Sequence, residues 1–243
     1  MKVALFIPCY IDQFYPQVGI ASLSLLQKLG VEVAFPDGAR CCGQPMANAG
    51  LEHEVSHLYR QFVDTYSGFD YIVMPSGSCT LHVREHYDIL EQTKAVQEIR
   101  KRTYDLADFL LEHFHEQLPK TSFPHKIALH TGCHSLRGLR FGQSSELHGG
   151  AKSNLEQLLH HVKDYSLSPV SRPDECCGFG GTFAITEEAV SVKMGRDKIR
   201  DITKEKPDYI VSNDMSCLMH LEGILRRQKS PIRVKHIVEI LNG

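Results

Sequence analysis

Residues 41–43 read Cys-Cys-Gly, and the same triplet returns at 176–178 within the stretch Asp-Glu-Cys-Cys-Gly-Phe-Gly-Gly-Thr-Phe of residues 174–183. The two doublets lie 135 residues apart. One cysteine precedes each doublet and one follows it. The first cysteine set is therefore Cys9, Cys41, Cys42 and Cys79, and the second cysteine set is Cys133, Cys176, Cys177 and Cys217. This repeated order indicates a duplicated unit of about 120 residues.

Apolar runs precede the outer cysteines of both sets and predict β-strands. They lie at residues 3–7, 71–74, 127–129 and 209–211. Between them, apolar residues recur at helical spacing, which predicts helices over residues 18–29 (ending at Gly30), 51–66 and 187–204. Strands that alternate with such helices predict an α/β fold made of two similar units, each with a parallel sheet. Sites in such folds lie at the carboxyl ends of the strands, which is where the outer cysteines are placed.

The boundary between the units is predicted in the segment Leu-Pro-Lys-Thr-Ser-Phe-Pro of residues 118–124, which holds two prolines and polar residues. We therefore expect a first half of residues 1–120 and a second half of residues 121–243. The halves need not be separable, because two such units can share one interface.

The composition is that of an ordinary globular protein. The chain has 243 residues, of which 42 % are hydrophobic and 23 % charged, and its net charge is −2. A net charge this close to zero does not indicate binding to the negatively charged backbone of a nucleic acid. Apolar runs are too short for a transmembrane segment, and the N-terminus lacks the pattern of a signal peptide, so a cytoplasmic location is expected. Eight cysteines in a reducing compartment favour metal or redox chemistry over disulfides.

Four thiolates can hold one tetrahedral zinc ion or one [4Fe–4S] cluster. Structural zinc sites usually contain two short Cys-x₂₋₄-Cys pairs, and neither set has one. Adjacent cysteines suit the several irons of a cluster better than one small ion, and glycine after each doublet permits a tight turn. The loop of residues 178–182 is expected to direct backbone N–H groups towards the sulfur atoms. The pattern favours iron–sulfur clusters, with structural zinc and inert thiols as alternatives.

The motifs resemble those of the cysteine-rich (CCG) domain family, which includes the cysteine-rich subunit of heterodisulfide reductase and the iron–sulfur subunit of glycolate oxidase. The pattern is most similar to the lactate utilisation protein A group, which consists of two such domains. The resemblance rests on residues 41–45, 75–79, 133–139, 174–183 and 213–220.

The resemblance implies that residues 1–120 and 121–243 are both CCG domains and that all eight cysteines bind one or two iron–sulfur clusters of the [4Fe–4S] type. Zinc in one half is a further option. It also implies an electron-transfer subunit of a cytoplasmic complex that oxidises L-lactate to pyruvate. Its partners would be the other subunits, including a ferredoxin-type iron–sulfur protein. The chain shows no evident general base, flavin site or nicotinamide site, and its glycines form no dinucleotide fingerprint.

The sequence departs from the fuller family pattern at two positions. The heterodisulfide reductase relative ends each motif with Cys-x-x-Cys, whereas here Ser76 and Asp214 replace the earlier cysteine. A cubane-like cluster is one option and a non-cubane cluster with an oxygen ligand is another. An incomplete ligand set at Ser76 or Asp214 would give a second hypothesis, a catalytic subunit acting on a thiol, a disulfide or another 2-hydroxy acid. A zinc-bearing structural protein is the third.

Charged and titratable residues flank the cysteines. His82 and His220 each follow a cysteine by three residues, and His130 and His134 flank Cys133. Each is a candidate fifth ligand or donor to a thiolate, although an ordinary packed histidine is the simpler interpretation. Three arginines near the cysteines would offset cluster charge or meet a carboxylate or an acidic partner, unless they are solvated: Arg40, Arg137 and Arg140. Residues 226–229 are typical of the basic end of a helix.

Overall fold

A computed structural model describes residues 1–144 and 153–243. In the first half, strands and helices alternate: β1 (Lys2–Leu5), α1 (Cys9–Phe14), α2 (Pro16–Lys28), β2 (Glu32–Ala34), α3 (Gln44–Asn48), α4 (Ser56–Tyr66), β3 (Tyr71–Met74), α5 (Gly77–Leu81), α6 (Lys94–Arg102), β4 (Thr103–Asp105) and α7 (Leu106–Phe114). A π-helical turn, His82–His86, extends α5.

The second half continues with β5 (Thr121–Ser122), β6 (Lys126–Leu129), α8 (Asn154–Leu159), β7 (Val162–Lys163), β8 (Ser166–Leu167), α9 (Phe183–Thr186), α10 (Glu188–Ile202), β9 (Tyr209–Ser212), α11 (Met215–Arg227), β10 (Arg233–His236) and α12 (Ile237–Asn242). A π-helical turn, His134–Gly138, follows Cys133. No helix in the described ranges is long and apolar enough to cross a membrane.

Each half contains a four-stranded parallel sheet, and the two sheets have the same topology. The first sheet has the order β2-β1-β3-β4, and the second has the equivalent order β8-β6-β9-β10. The strands β1 and β6, which precede the first cysteine of each set, thus lie in the middle of their sheets, where they are covered on both faces. The structure confirms the prediction of an α/β fold with duplicated parallel sheets.

Several elements differ from the predicted ranges. Residues 52–55 form a turn ahead of α4, so that helix begins at Ser56, and α10 ends at Ile202 in a 3₁₀ turn. The segment of residues 118–124 is not simply a link, because β5 within it pairs in parallel with β7. The basic segment 226–229 does contain a helix end, since α11 stops at Arg227.

The main hydrophobic core draws on both halves. One buried cluster joins residues of β1, α2 and α7 to residues of β6, α8, β9, α11 and α12, whereas a second cluster lies within the first half, around Phe6, Tyr59 and Tyr66. Two helices cross between the halves: α7 packs on α8, and α12 packs on α2. The two sheets are therefore joined through apolar packing, with the carboxyl ends of β3 and β9 meeting at a bridge between Ser76 and Asp214.

Candidate metal centre

The first cysteine set comes together at the carboxyl ends of β1 and β3. Cys9 begins α1 directly after β1, and Cys79 lies in α5 directly after β3. The doublet of Cys41 and Cys42 approaches them on the loop before α3. The Sγ atoms of Cys9 and Cys41 are 4.0 Å apart, and the Cys42 thiol interacts with the thiols of Cys41 and Cys79. All four thiols therefore line one small site.

The second cysteine set repeats this arrangement at β6 and β9. Cys133 follows β6, Cys217 lies in the first turn of α11, and the doublet of Cys176 and Cys177 approaches on the loop before α9. The Sγ atoms of Cys133 and Cys176 are again 4.0 Å apart, those of Cys177 and Cys217 lie within 4.8 Å of each other, and the Cys177 thiol also interacts with that of Cys176. The structure thus brings each predicted set together in the same geometry.

The glycine after each doublet positions a backbone donor. The N–H of Gly43 lies 3.5 Å from Cys41 Sγ, that of Gly178 lies 3.4 Å from Cys176 Sγ, and that of Phe179 lies 3.5 Å from Cys177 Sγ. Gly43 and Gly178 have φ angles of 91° and 89°, which side chains disfavour. Such N–H groups stabilise negative charge on sulfur.

The thiols of each set shift one another's pKa values. Hydrogen bonding from Cys42 holds the pKa of the Cys41 thiol well below its usual range, and hydrogen bonding from Cys133 does the same for Cys176. Cys42 donates a hydrogen bond to Cys41 and is buried, and both effects raise its pKa. Cys177 donates to Cys176 in the same way, and its pKa is raised for the same reasons. Each set thus favours one thiolate surrounded by thiols. A bound cation would allow all four to ionise, so the donor set fits a metal ion or a cluster.

Ser76 and Asp214 face each other where the two halves meet. Each caps its own helix: Ser76 Oγ accepts from the Cys79 N–H at 3.2 Å, and Asp214 Oδ1 accepts from the Ser216 N–H at 3.0 Å. Ser76 Oγ also lies 3.3 Å from Asp214 Oδ2, and Tyr10 Oη lies 2.6 Å from Ser76 Oγ. Both side chains are buried. Their oxygens are occupied by hydrogen bonds within the protein.

Three of the four candidate histidines have partners close by. His82 is buried with Nε2 3.1 Å from the Tyr59 hydroxyl, and burial lowers its pKa to about 3. His220 Nε2 lies 3.3 Å from the Ser191 carbonyl oxygen. His134 Nδ1 lies 3.8 Å from Cys133 Sγ. These positions fit packed histidines near the sites.

His130 differs from the other three. It is fully buried, and neither ring nitrogen has a hydrogen-bond partner within residues 1–144 and 153–243. A ring nitrogen of His130 and the Sγ atoms of Cys177 and Cys217 all lie within 4.8 Å of one another. These three residue types are ligands that zinc and iron accept. The imidazole therefore lies against the thiols of the second cysteine set, the second centre.

The three arginines lie at the surface, and Arg40 lines a cleft together with Cys9 and Cys41. Arg40 and Arg140 are exposed. Arg137 is also exposed; it donates to the Asp174 carbonyl oxygen at 3.2 Å and pairs with the Asp174 carboxylate at 3.7 Å. It thereby holds the segment that leads into Cys176.

Sequence reasoning missed two residues beside the sites. Tyr10 links the halves and lines a cavity of about 100 Å³ between them, which also touches Gln44, Cys133 and Cys217. Lys198 is fully buried on α10 beside the second centre. A signal for Lys198 does exist, because it stands on the same helical face as the buried residues Gly195 and Ile202. Tyr10 carries no comparable signal.

A family model and full-length relatives agree on the family to which this chain is similar. A model of the cysteine-rich domain, CCG, matches residues 3–84 and 127–222. A protein of Geobacillus thermodenitrificans named lactate utilization protein A is 38 % identical, with 100 % of this chain and 99 % of the relative covered. The protein of that name from Bacillus subtilis is 33 % identical, with 100 % of both covered.

Among solved structures, a putative Asp/Glu racemase from Yersinia pestis covers 100 % of this chain and 96 % of its own at 13 % identity. Its TM-score is 0.36, too low to support an inference. The family model spans most of the chain, and full-length relatives exceed 30 % identity. The chain therefore belongs to the cysteine-rich (CCG) domain family, in the group of the lactate utilization A proteins.

Proposed function

We propose that the protein is an iron–sulfur electron-transfer component of a cytoplasmic system that oxidises lactate, with one cluster in each cysteine set. The observation that carries the proposal is the duplicated convergence of four thiols at the carboxyl ends of two parallel sheets. The names of the full-length relatives support the lactate system.

The residues that would hold the clusters are the two cysteine sets. A [4Fe–4S] cluster bound by four thiolates supplies a one-electron redox centre. The chain's own contribution is to fix the thiolates, through strand ends and helix starts, and to donate backbone N–H groups from Gly43, Gly178 and Phe179. Such donors raise the reduction potential of a cluster.

The partial exposure of some thiols suits the transfer of electrons to or from a partner protein. Cys42, Cys79, Cys177 and Cys217 are buried, whereas Cys9 is exposed and Cys41, Cys133 and Cys176 are half-buried. Each centre thus has one side turned towards the surface, where another redox protein can approach. We propose other subunits of the lactate system as partners, a ferredoxin-type protein among them, and assign proton and hydride removal from lactate to one of those subunits.

Two alternatives have different support. Catalysis at an incomplete ligand set would require Ser76 or Asp214 to face a substrate, but both are buried and hydrogen-bonded to each other. Zinc in the second half draws support from the grouping of His130 with Cys177 and Cys217. Metal analysis separates zinc from a cluster.

The test measures iron, acid-labile sulfide and zinc per chain in anaerobically purified protein, together with an EPR spectrum. We expect about eight irons with matching sulfide, because each set holds one [4Fe–4S] cluster. Cys41→Ser should remove the first centre and leave the second, and Cys176→Ser should do the reverse, so each variant is the control for the other. Stoichiometric zinc without sulfide, even after anaerobic reconstitution, would refute the proposal.

A further inference from the structure

The two centres have different surroundings at one equivalent position. Phe6 directly follows β1 and donates its N–H to the Val73 carbonyl oxygen at 2.9 Å, and His130 directly follows β6 and donates to the Val211 carbonyl oxygen at 2.9 Å. The Phe6 ring packs against Phe62 with ring centres 5.6 Å apart. The first half thus has a phenyl ring where the second half has an imidazole.

The imidazole of His130 is directed to the thiols of the second set. It is fully buried, its two nitrogens have no partner within the described ranges, and it lies within 4.8 Å of Cys177 and Cys217 Sγ. A neutral imidazole carries one N–H that needs an acceptor. The adjacent sulfur atoms provide one when they are thiolates. Because the four thiolates already complete the ligand set of a cluster, we treat His130 as a hydrogen-bond donor and not as a ligand.

Lys198 is a second difference between the halves. Tyr59 lies against Gly43, and Met194 lies against Gly178, so these two residues are equivalent; four positions later stand Val63 and Lys198. Lys198 is fully buried, and its Nζ donates to the carbonyl oxygens of Arg172 and Pro173 at 2.6 and 3.2 Å. The second half therefore places a cation next to the segment that leads into Cys176, where the first half has an apolar side chain.

We propose that the second centre is easier to reduce than the first, because His130 donates an N–H to the sulfur of Cys177 or Cys217 and Lys198 adds a positive charge. This inference rests on the proposed function. Hydrogen bonds to sulfur and nearby positive charge both stabilise the more negative, reduced state of a cluster. An electron shared between the two centres therefore resides on the second half.

The experiment compares midpoint potentials in EPR-monitored redox titrations. Cys41→Ser isolates the second centre and Cys176→Ser the first, and each is combined with His130→Phe, which introduces the residue found in the first half. We expect the isolated second centre to have the higher potential. His130→Phe should lower the potential of the second centre and leave that of the first unchanged. Lys198→Met should lower it as well.

His220→Phe is the matched control. His220 also lies in the second half, but its Nε2 already faces the Ser191 carbonyl oxygen at 3.3 Å. Its replacement should therefore leave the potential of the second centre nearly unchanged. Pulsed EPR on protein with ¹⁵N-labelled histidine should detect weak nitrogen couplings at the second centre. One of them should be lost in His130→Phe, while the coupling to His134, whose Nδ1 lies 3.8 Å from Cys133 Sγ, should persist.

Each result decides the inference. Equal potentials of the two centres, an unchanged second potential in His130→Phe, or a strong coupling typical of a nitrogen ligand would overturn it while leaving the iron–sulfur proposal intact. If His130→Phe fails to fold, the potentials of the two isolated centres and the Lys198→Met potential still decide. A chain without iron and sulfide would contradict both proposals.

Discussion

The side chain of Asp214 joins the two halves by accepting hydrogen bonds from both of them. Its buried carboxylate accepts hydrogen bonds from the Ser78 N–H at 2.8 Å, the Ser216 N–H at 3.0 Å and the Tyr10 hydroxyl at 3.2 Å. Two of these donors come from the first half and one from the second. The position that holds a cysteine in the heterodisulfide reductase relative thus serves here to join two helix starts.

We predict that Asp214→Ala lowers the free energy of unfolding by about 3 kcal/mol or more. The reason is that several buried donors lose their acceptor, at about 1–3 kcal/mol each. Urea denaturation of the metal-free protein, followed by circular dichroism, measures the change without interference from cluster loss.

Tyr10→Phe is the control for this prediction. Burial raises the pKa of Tyr10 well above its usual range, so its hydroxyl remains a donor at neutral pH. Its replacement removes the hydroxyl's hydrogen bonds to Ser76 and Asp214 but leaves the N–H donors of Asp214 paired, which should cost about 1–2 kcal/mol. A loss in Asp214→Ala no larger than that in Tyr10→Phe would show that the carboxylate does not hold the halves together.

At the scale of elements, the last helix begins with a titratable cap. His236 Nδ1 accepts a hydrogen bond from the Val238 N–H at 3.1 Å, and Glu239 completes the capping box at the start of α12. In the first half, Asp105 caps the equivalent helix α7 by accepting from the Ala107 N–H at 2.8 Å. Protonation of His236 Nδ1 would remove the acceptor, so this cap depends on pH. The cap of α7 is a carboxylate, and burial raises the pKa of Asp105 well above its usual range, so its contribution to stability changes with pH in the opposite direction.

We predict that the metal-free protein loses stability as the pH falls below about 6.5. Burial lowers the pKa of His236 in the folded chain, so the unfolded chain binds a proton that the folded chain resists. The stabilisation is complete above the unfolded pKa and decreases as the pH falls towards the folded value. The expected slope is at most about 1.4 kcal/mol per pH unit for this group.

His236→Asn tests the origin of that slope, because asparagine keeps a capping oxygen but does not titrate. The free energy of unfolding at pH 8 should change by less than about 1 kcal/mol. Below pH 6.5, the slope of this free energy against pH should decrease by up to about 1.4 kcal/mol per pH unit, which corresponds to one proton. Buried His82 and His130 will keep part of the slope. An unchanged slope would contradict the assignment to His236.

The elements also show what sequence patterns can predict. The strands before Cys9, Cys79, Cys133 and Cys217 are all predictable, because parallel strands between helices are continuous apolar runs. The helix expected over residues 51–66 begins instead at Ser56, since apolar spacing does not mark a preceding turn. The strand β5 is not predictable, because a two-residue strand forms only through pairing with the distant β7.

The same limit applies to the candidate site. The two cysteine sets are evident from the repeated order alone, whereas the special position of His130 is not. A histidine three residues ahead of Cys133 has no distinguishing sequence feature, and its proximity to Cys177 and Cys217 depends on loops and helices far along the chain. Comparison with Phe6 becomes meaningful once strand pairing shows the two positions to be equivalent.

At the scale of the whole molecule, the last helix of each half packs against both its own sheet and a helix of the other half. Helix α7 of the first half packs on α8, and helix α12 of the second half packs on α2. Lys28 Nζ donates to the Asn242 carbonyl oxygen at 2.7 Å across the second of these contacts. Because α7 and α12 contribute residues to one hydrophobic cluster shared by both halves, each half needs the other to cover its apolar surface.

We predict that residues 1–120 and 121–243, expressed separately, do not fold on their own but assemble when mixed. Without α12 and α8, the first fragment loses the helices that pack on α2 and α7, whose apolar residues belong to the hydrophobic cluster shared by both halves. Uncovered surface of this kind promotes aggregation and removes much of the hydrophobic stabilisation. Amide ¹H–¹⁵N NMR spectra should be collapsed for each fragment and dispersed for the mixture, whereas the full chain should unfold in one cooperative transition. A dispersed spectrum and a separate unfolding transition for residues 1–120 alone would show that the shared core is dispensable, and the halves would then be independent domains that merely touch.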